Sequence, residues 1–119
     1  MRMRHKLTAG LFAIFMLGTL ASHCRAQEPK QIQITAKRYS YEPSEITLKK
    51  GETVVLIFTA SDTTHGIEIK ELGIKAELHK GKPVKLTVTP EQTGRFVGKC
   101  SHFCGRGHGS MRLTVNVTE

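Results

Sequence analysis

From residue 32 to residue 117 the chain alternates apolar and polar residues in short runs, and this period of two belongs to extended strands with one buried face rather than to helices. Ile32 and Ile34 begin the series, followed by Ile46 and Leu48, then Val54, Leu56 and Phe58, then Ile67 and Ile69. Val84, Leu86 and Val88 come next, then the stretch from Arg95 to Lys99, and finally Leu113, Val115 and Val117. Turn formers separate the runs: Pro43, Gly51 after Lys49 and Lys50, Gly81 before Pro83, and Pro90 with Gly94. About seven short strands result. Strands that each have one face to bury predict an all-β fold, two antiparallel sheets packed as a Greek-key sandwich. The segment from Glu68 to Lys80 is expected to hold one irregular or helical turn.

The first residues follow another rule. Arg2, Arg4 and Lys6 precede an apolar run from Leu7 to Ala21, and small and polar residues lead on to Arg25 and Ala26. This is the layout of a secretory signal peptide, and the apolar run is shorter than the roughly 18 to 20 residues that span a bilayer. Residues 1–26 are therefore read as a signal peptide cleaved after Ala26, and residues 27–119 as one domain in the periplasm or otherwise exported. An alternative is lipidation at Cys24, although His23 stands where lipoprotein signals place a small residue. Membrane attachment is expected only through an uncleaved or lipidated N-terminus. Cleavage removes four basic residues and no acidic ones, so the formal net charge falls from +8 to +4. The remaining Lys and Arg are scattered between Lys30 and Arg112, and only five aromatic residues remain, which argues against nucleic-acid binding. A domain this small buries only about 60 to 65% of its unfolded surface, so a bound metal would add materially to its stability.

The chemistry is concentrated between the last two strands. Cys100-Ser-His-Phe-Cys104-Gly-Arg-Gly-His108-Gly-Ser-Met111 carries two thiols, an imidazole and a thioether on one loop. Soft sulfur and borderline imidazole donors favour copper over calcium, magnesium or manganese, and Gly105, Gly107 and Gly109 let the loop curl. Met111 is the one methionine left after cleavage, and it either fills the core or offers its sulfur. His65, in Asp62-Thr-Thr-His65-Gly, precedes a strand that a Greek key can lay beside the last two. Asp62 either orients the loop holding His65 or simply forms a turn. His79 reads as a solvated loop residue.

Taken together these residues resemble the CuA domain of cytochrome c oxidase subunit II, also found in nitrous oxide reductase. Tyr41-Glu-Pro43 and Leu48-Lys-Lys-Gly51-Glu resemble the first strands of that family, Ser61-Asp62 with His65-Gly66 its upstream ligand region, and Cys100 to Met111 its ligand loop. The resemblance implies a cupredoxin-like fold in which Cys100 and Cys104 bridge two copper ions and each copper takes one histidine, His65 or His108. Met111 and the backbone carbonyl of His102 would be the weak axial ligands. Two thiolates would offset two of the three positive charges of a mixed-valence pair. Implied too is single-electron transfer to or from a redox protein such as a c-type cytochrome or a terminal oxidase, with Phe103 and Arg106 in the docking patch. Catalysis is not expected, since no ligand position is open to a substrate.

The chain departs from that family in three respects. Subunit II has a transmembrane hairpin before its copper domain, whereas the apolar run here is the export signal, so a free or singly anchored module is expected. The residue between the cysteines, usually acidic in oxidases, is His102, and the chain has no tryptophan to serve as an electron entry site. Other readings of the residues remain open: a Cys100–Cys104 disulfide, which leaves His65, His108 and Met111 without a role, a Cys2His2 zinc site, which has no use for Met111, and a single-copper site, which needs one cysteine. An alternative to the electron shuttle is a copper carrier or reserve that delivers copper to an oxidase under assembly.

Overall fold

The computed structural model describes residues 26–119 continuously and residues 18, 22 and 24 before them. The export signal assigned to 1–26 lies almost wholly outside the described residues. Among the described residues no helix is long and apolar enough to cross a membrane.

Among the described residues nine strands are formed: β1 (Lys30–Lys37), β2 (Ser40–Glu42), β3 (Glu45–Lys49), β4 (Val54–Ala60), β5 (His65–Ile69), β6 (Ile74–Leu78), β7 (Val84–Val88), β8 (Gly94–Lys99) and β9 (Arg112–Thr118). Two single 3-10 turns, Lys70–Leu72 and His108–Ser110, are the other elements among these residues. One sheet has the order β2-β1-β4-β7 and the other β3-β9-β8-β5-β6. The alternation seen in the sequence becomes the two faces of each strand. In β4, Val54, Leu56, Phe58 and Ala60 are buried while Val55, Ile57 and Thr59 are partly exposed. Ile34, Leu56 and Phe58 from the first sheet meet Ile67, Leu113 and Val115 from the second, and all six are fully buried. The sandwich and its core therefore follow from the period of two.

Two expectations need correction. The sheets are mixed, not antiparallel: β1 runs parallel to β4 with Ile34 opposite Phe58, and β3 runs parallel to β9 with Ile46 opposite Val115. After β2 the chain crosses to the second sheet for β3 and returns for β4, which lays β4 beside β1 in the same direction. Alternation specifies which face is buried and carries no information on the direction of a neighbour so distant in sequence. The strands among the described residues also number nine rather than about seven. β2 has a single buried side chain, Tyr41, too few for a period to register. The segment from Glu68 to Lys80 contains the expected helical turn, and it also contains β6, whose Ile74, Ala76 and Leu78 alternate after Gly73 turns the chain at φ +65°.

The topology sets one end of the sandwich apart. β5 lies antiparallel to β8 with Glu68 opposite Lys99, so the start of β5, at His65, meets the end of β8 and the Cys100 that follows it. β9 starts beside the same end, with Arg112 opposite Lys99. The loop from Cys100 to Met111 and the residue His65 are thereby drawn together, although His65 and Cys100 are 35 positions apart in the chain.

Candidate metal centre

Sulfur, nitrogen and oxygen donors converge at that end. The sulfurs of Cys100 and Cys104 are 3.8 Å apart, both thiols are free, and both residues are buried. Met111 Sδ is 3.5 Å from Cys104 Sγ and fully buried. His108, in the second 3-10 turn, brings Nδ1 to 3.9 Å from the same sulfur. The carbonyl oxygen of His102 accepts from Cys100 Sγ at 3.1 Å. A ring nitrogen of His65 lies with the two sulfurs in a cluster whose atoms are all within 4.8 Å of one another. The structure thus gathers every donor singled out in the sequence: His65, Cys100, the His102 carbonyl, Cys104, His108 and Met111.

The arrangement around His65 selects one ring nitrogen as the donor. Nε2 is 2.6 Å from Asp62 Oδ1, while Nδ1 is buried with no hydrogen-bond partner, the one such side-chain nitrogen or oxygen among the described residues. A buried polar atom left unpaired costs about 1–3 kcal/mol, so its retention points to a partner other than the protein. The Asp62 carboxylate also accepts from the amide N–H groups of Arg38, at 2.8 Å, and Thr63, at 2.7 Å. Burial acts to raise the Asp62 pKa, but the Arg38 amide, the His65 ring and the Thr63 amide together outweigh it and lower the pKa to about 2. An ionised Asp62 keeps the proton on Nε2 and leaves a lone pair on Nδ1, the form a metal needs.

The ligand loop is seated by close backbone contact. A Cβ at Gly66 would collide with Ser101 Oγ and stand 2.9 Å from the His102 amide nitrogen. Glycine at this position lets the segment after Cys100 lie directly on β5. Gly107 and Gly105, the latter at φ +137°, leave room for the ring of Tyr39. Arg38 Nε donates to the Cys104 carbonyl at 2.9 Å, so one arginine ties the loop to Asp62 through its backbone and to Cys104 through its side chain.

Burial sets the protonation state of Cys104. Burial pushes the Cys104 thiol up to about 11, the adjacent Cys100 thiol adds to the rise, and the Arg38 guanidinium opposes it. At neutral pH this thiol keeps its proton until a metal displaces it. Burial likewise raises the Tyr41 phenol far above its usual range, with the two thiols adding to the effect. Tyr41 therefore stays a donor, and its hydroxyl holds the Gly66 carbonyl at 2.5 Å, one residue from His65.

The donor set fits a soft or borderline transition metal. Two sulfurs each about 2.3 Å from a shared first-row ion in tetrahedral geometry stand roughly 3.8 Å apart, and the separation here is 3.8 Å. Three sulfurs and two imidazoles are the donors that copper prefers. The side chains of His79 and His102 stand outside this group, at the surface. Phe103 is 75% exposed beside it, with its ring centroid 5.7 Å from that of His108.

Arg38, Tyr39, Tyr41 as a hydrogen-bond donor, and Gly66 as a seat for the loop had no role assigned from sequence. A single arginine or tyrosine between short strands has no spacing to mark it. Gly66, directly after a candidate ligand histidine, was the one detectable signal.

A family model described as a cupredoxin-like domain matches residues 9–111. A probable cytochrome c oxidase subunit 2 from Rickettsia prowazekii is 30% identical over 90 residues, 76% of this chain and 29% of the relative. Cytochrome c oxidase subunit 2 from Thermus thermophilus is 27% identical over 88 residues, 74% of this chain and 65% of the relative. The chain spans less than two thirds of the length of either. Among solved structures, the periplasmic domain of subunit II of cytochrome oxidase from Bradyrhizobium japonicum superposes with a TM-score of 0.71 at 18% identity, covering 79% of this chain and 87% of that one. At that identity the likeness is one of fold.

Proposed function

This chain belongs to the family of cupredoxin-like domains, and on that footing we propose that it is an exported electron-transfer protein that holds two copper ions as a CuA centre. The observation that carries the reading is the buried convergence of two free thiols, two imidazoles, a thioether and a carbonyl at one end of a rigid sandwich. A closed tetrahedral ion uses four such donors. Two ions sharing the thiolates use all six.

In this reading Cys100, Cys104, His65, His108, Met111 and the His102 carbonyl would hold the copper pair, the two thiolates being shared between the ions. The bound copper pair supplies a centre that gains and loses one electron. The protein's part is to keep its donors still while that happens. Asp62 fixes the tautomer of His65, Arg38 anchors Cys104 through its carbonyl, and Tyr41 holds the strand carrying His65 through Gly66. With the donors held in place, little has to move when an electron arrives. No donor position is left for a substrate, so the role is transfer and not bond-making.

The exposed Phe103 and Arg106, in the ligand loop beside the donors, provide the contact for a redox partner such as a c-type cytochrome or a terminal oxidase. The basic, apolar and small-residue order of residues 1–26 supports export to the periplasm.

Retention of copper through redox cycling separates this role from copper delivery. The copper-loaded protein, reduced and reoxidised repeatedly in the presence of a competing copper(I) chelator, is expected to recover its visible spectrum and its copper content after each cycle. Transfer of the copper to the chelator at the first reduction would overturn the shuttle in favour of a carrier.

A further inference from the structure

The loops around the buried donors carry an excess of positive charge. At that end of the sandwich the segments 38–39, 43–44, 61–64, 79–83 and 100–111 hold Arg38, Lys80, Lys82 and Arg106 against one carboxylate, Asp62. We propose that these cations, set around the exposed Phe103, form a docking face for an acidic redox protein. The proposal rests on the electron-transfer reading and adds to it the chemistry of the partner.

These cations are not used up within the fold. All four residues are exposed, and among the described residues none of them forms an ion pair. Cations on the sheets are paired instead: Lys37 with Glu42 at 2.7 Å, Lys75 with Glu68 at 3.4 Å and Arg95 with Glu45 at 3.6 Å. The one carboxylate in these loops is turned inward, since Asp62 accepts from the His65 ring and from the amides of Arg38 and Thr63. Arg38 Nε donates to the Cys104 carbonyl at 2.9 Å, which holds that guanidinium over the ligand loop.

An apolar centre lies among the charges. Phe103 is 75% exposed, with its ring centroid 5.7 Å from that of His108. Tyr39, also exposed, lays its ring against the backbone of Gly105 and Gly107, where an added Cβ would collide with it. Two exposed rings thus adjoin the turn that carries His108, which is partly exposed where His65 is fully buried. An apolar centre with a charged rim is the ordinary build of a protein interface. Electron transfer also needs its partner close to His108, which favours a redox protein over a lipid surface.

The far end of the sandwich has the opposite sign. Its loops at 50–53, 70–73 and 89–93 hold Glu52, Glu71 and Glu91 against Lys50 and Lys70, with Glu28 before β1 and Glu119 after β9. The domain is therefore polarised along its strands, and an acidic partner would attract the metal end while it repels the other. Such fields raise association rates about 10- to 1,000-fold at low ionic strength and are screened by salt.

Electron transfer and binding, measured separately, test the assignment. The probes are two c-type cytochromes, one with a strongly acidic isoelectric point and one with a basic one. When the copper-loaded chain oxidises the reduced acidic cytochrome, each haem gives up one electron and the copper pair takes it. The second-order rate is expected to fall about 10-fold or more between about 0.01 and 1 M salt. Lys80→Gln/Lys82→Gln should lower the low-salt rate about 5-fold, while Lys49→Gln/Lys50→Gln, the same loss of charge at the far end, should change it less than about 2-fold. With the reduced, metal-free chain, the acidic cytochrome should shift the amide resonances of Lys82, Phe103 and Arg106 and leave those of Glu52 and Glu91 in place. Those shifts in a chain that takes up no copper pair would strike the electron-transfer reading and uphold the acidic-partner surface. Faster reaction with the basic cytochrome at low salt, equal slowing by the two double substitutions, or amide shifts caused by phosphatidylserine vesicles and not by the acidic cytochrome would overturn the proposal.

Discussion

A Cys104→Ser chain is expected to lose its copper centre while keeping its β-sheet circular dichroism. Cys104 has more close donor contacts than any other member of the site: Cys100 at 3.8 Å, Met111 at 3.5 Å and His108 at 3.9 Å all meet at its sulfur. Serine is nearly the same size but offers a hard hydroxyl with almost no tendency to ionise, so both ions would lose their shared bridge. Outer-shell partners alone are worth roughly 10–100-fold in metal affinity, and removal of a bridging ligand should exceed that range. Burying a hydroxyl where a thiol packed costs about 1–3 kcal/mol, which leaves most of a typical domain stability of about 5–15 kcal/mol. Copper content, visible absorption and circular dichroism on one sample check the expectation. Undiminished copper uptake by Cys104→Ser would rule out the thiolate bridge.

Gly66→Ala is expected to damage both the site and the fold with one added methyl group. That carbon would collide with Ser101 Oγ, which can rotate away, but it also stands 2.9 Å from the His102 amide nitrogen and 3.2 Å from that of Ser101. Those two atoms are backbone and move only if the ligand loop lifts off β5. Overpacking of this kind costs about 1–3 kcal/mol, and each kcal/mol lowers the Tm of a domain this size by roughly 4–8 °C. Lifting the loop also displaces Cys100 and the His102 carbonyl, so copper affinity should fall along with Tm. Gly109 lies in the same loop, and a methyl group added there would meet nothing within 4 Å, so Gly109→Ala should leave both quantities near the parent values. Thermal melts and chelator competition on the two variants decide it, and equal behaviour of the two would contradict the seating of the loop on Gly66.

The alternation of Val54, Leu56 and Phe58, and of Leu113, Val115 and Val117, was enough to read a two-sheet sandwich, because burial on one face leaves a period of two in the sequence. The parallel pairs were not legible. They depend on contacts such as Ile46 with Val115, and no local pattern encodes a partner that remote. β6 was within reach, since Ile74, Ala76 and Leu78 alternate directly after the 3-10 turn, but the turn gave the whole segment the look of an irregular stretch.

At the candidate site, the loop donors were legible because four of them fall within twelve residues, and His65 because it precedes a strand bound for the same sheet. The supporting residues were harder to find. Asp62 was open between a turn former and an orienting carboxylate, and it does both, accepting from the Thr63 amide and holding the His65 ring. Arg38 acts through one backbone N–H and one side-chain nitrogen on two partners 24 and 66 residues away, which no motif describes. Donors cluster in sequence because one loop carries them. Their supports come from wherever the fold brings a hydrogen bond into reach.

Everything proposed for the buried site rests on a pair of coppers bridged by Cys100 and Cys104. The decisive measurement is the electron paramagnetic resonance spectrum of the copper-loaded chain, recorded beside its visible spectrum. A purple protein is expected, with hyperfine splitting that requires two equivalent copper nuclei sharing one unpaired electron. Splitting from a single copper nucleus, or a colourless chain whose two cysteines have paired in a disulfide and take up no copper even after reduction, would contradict it.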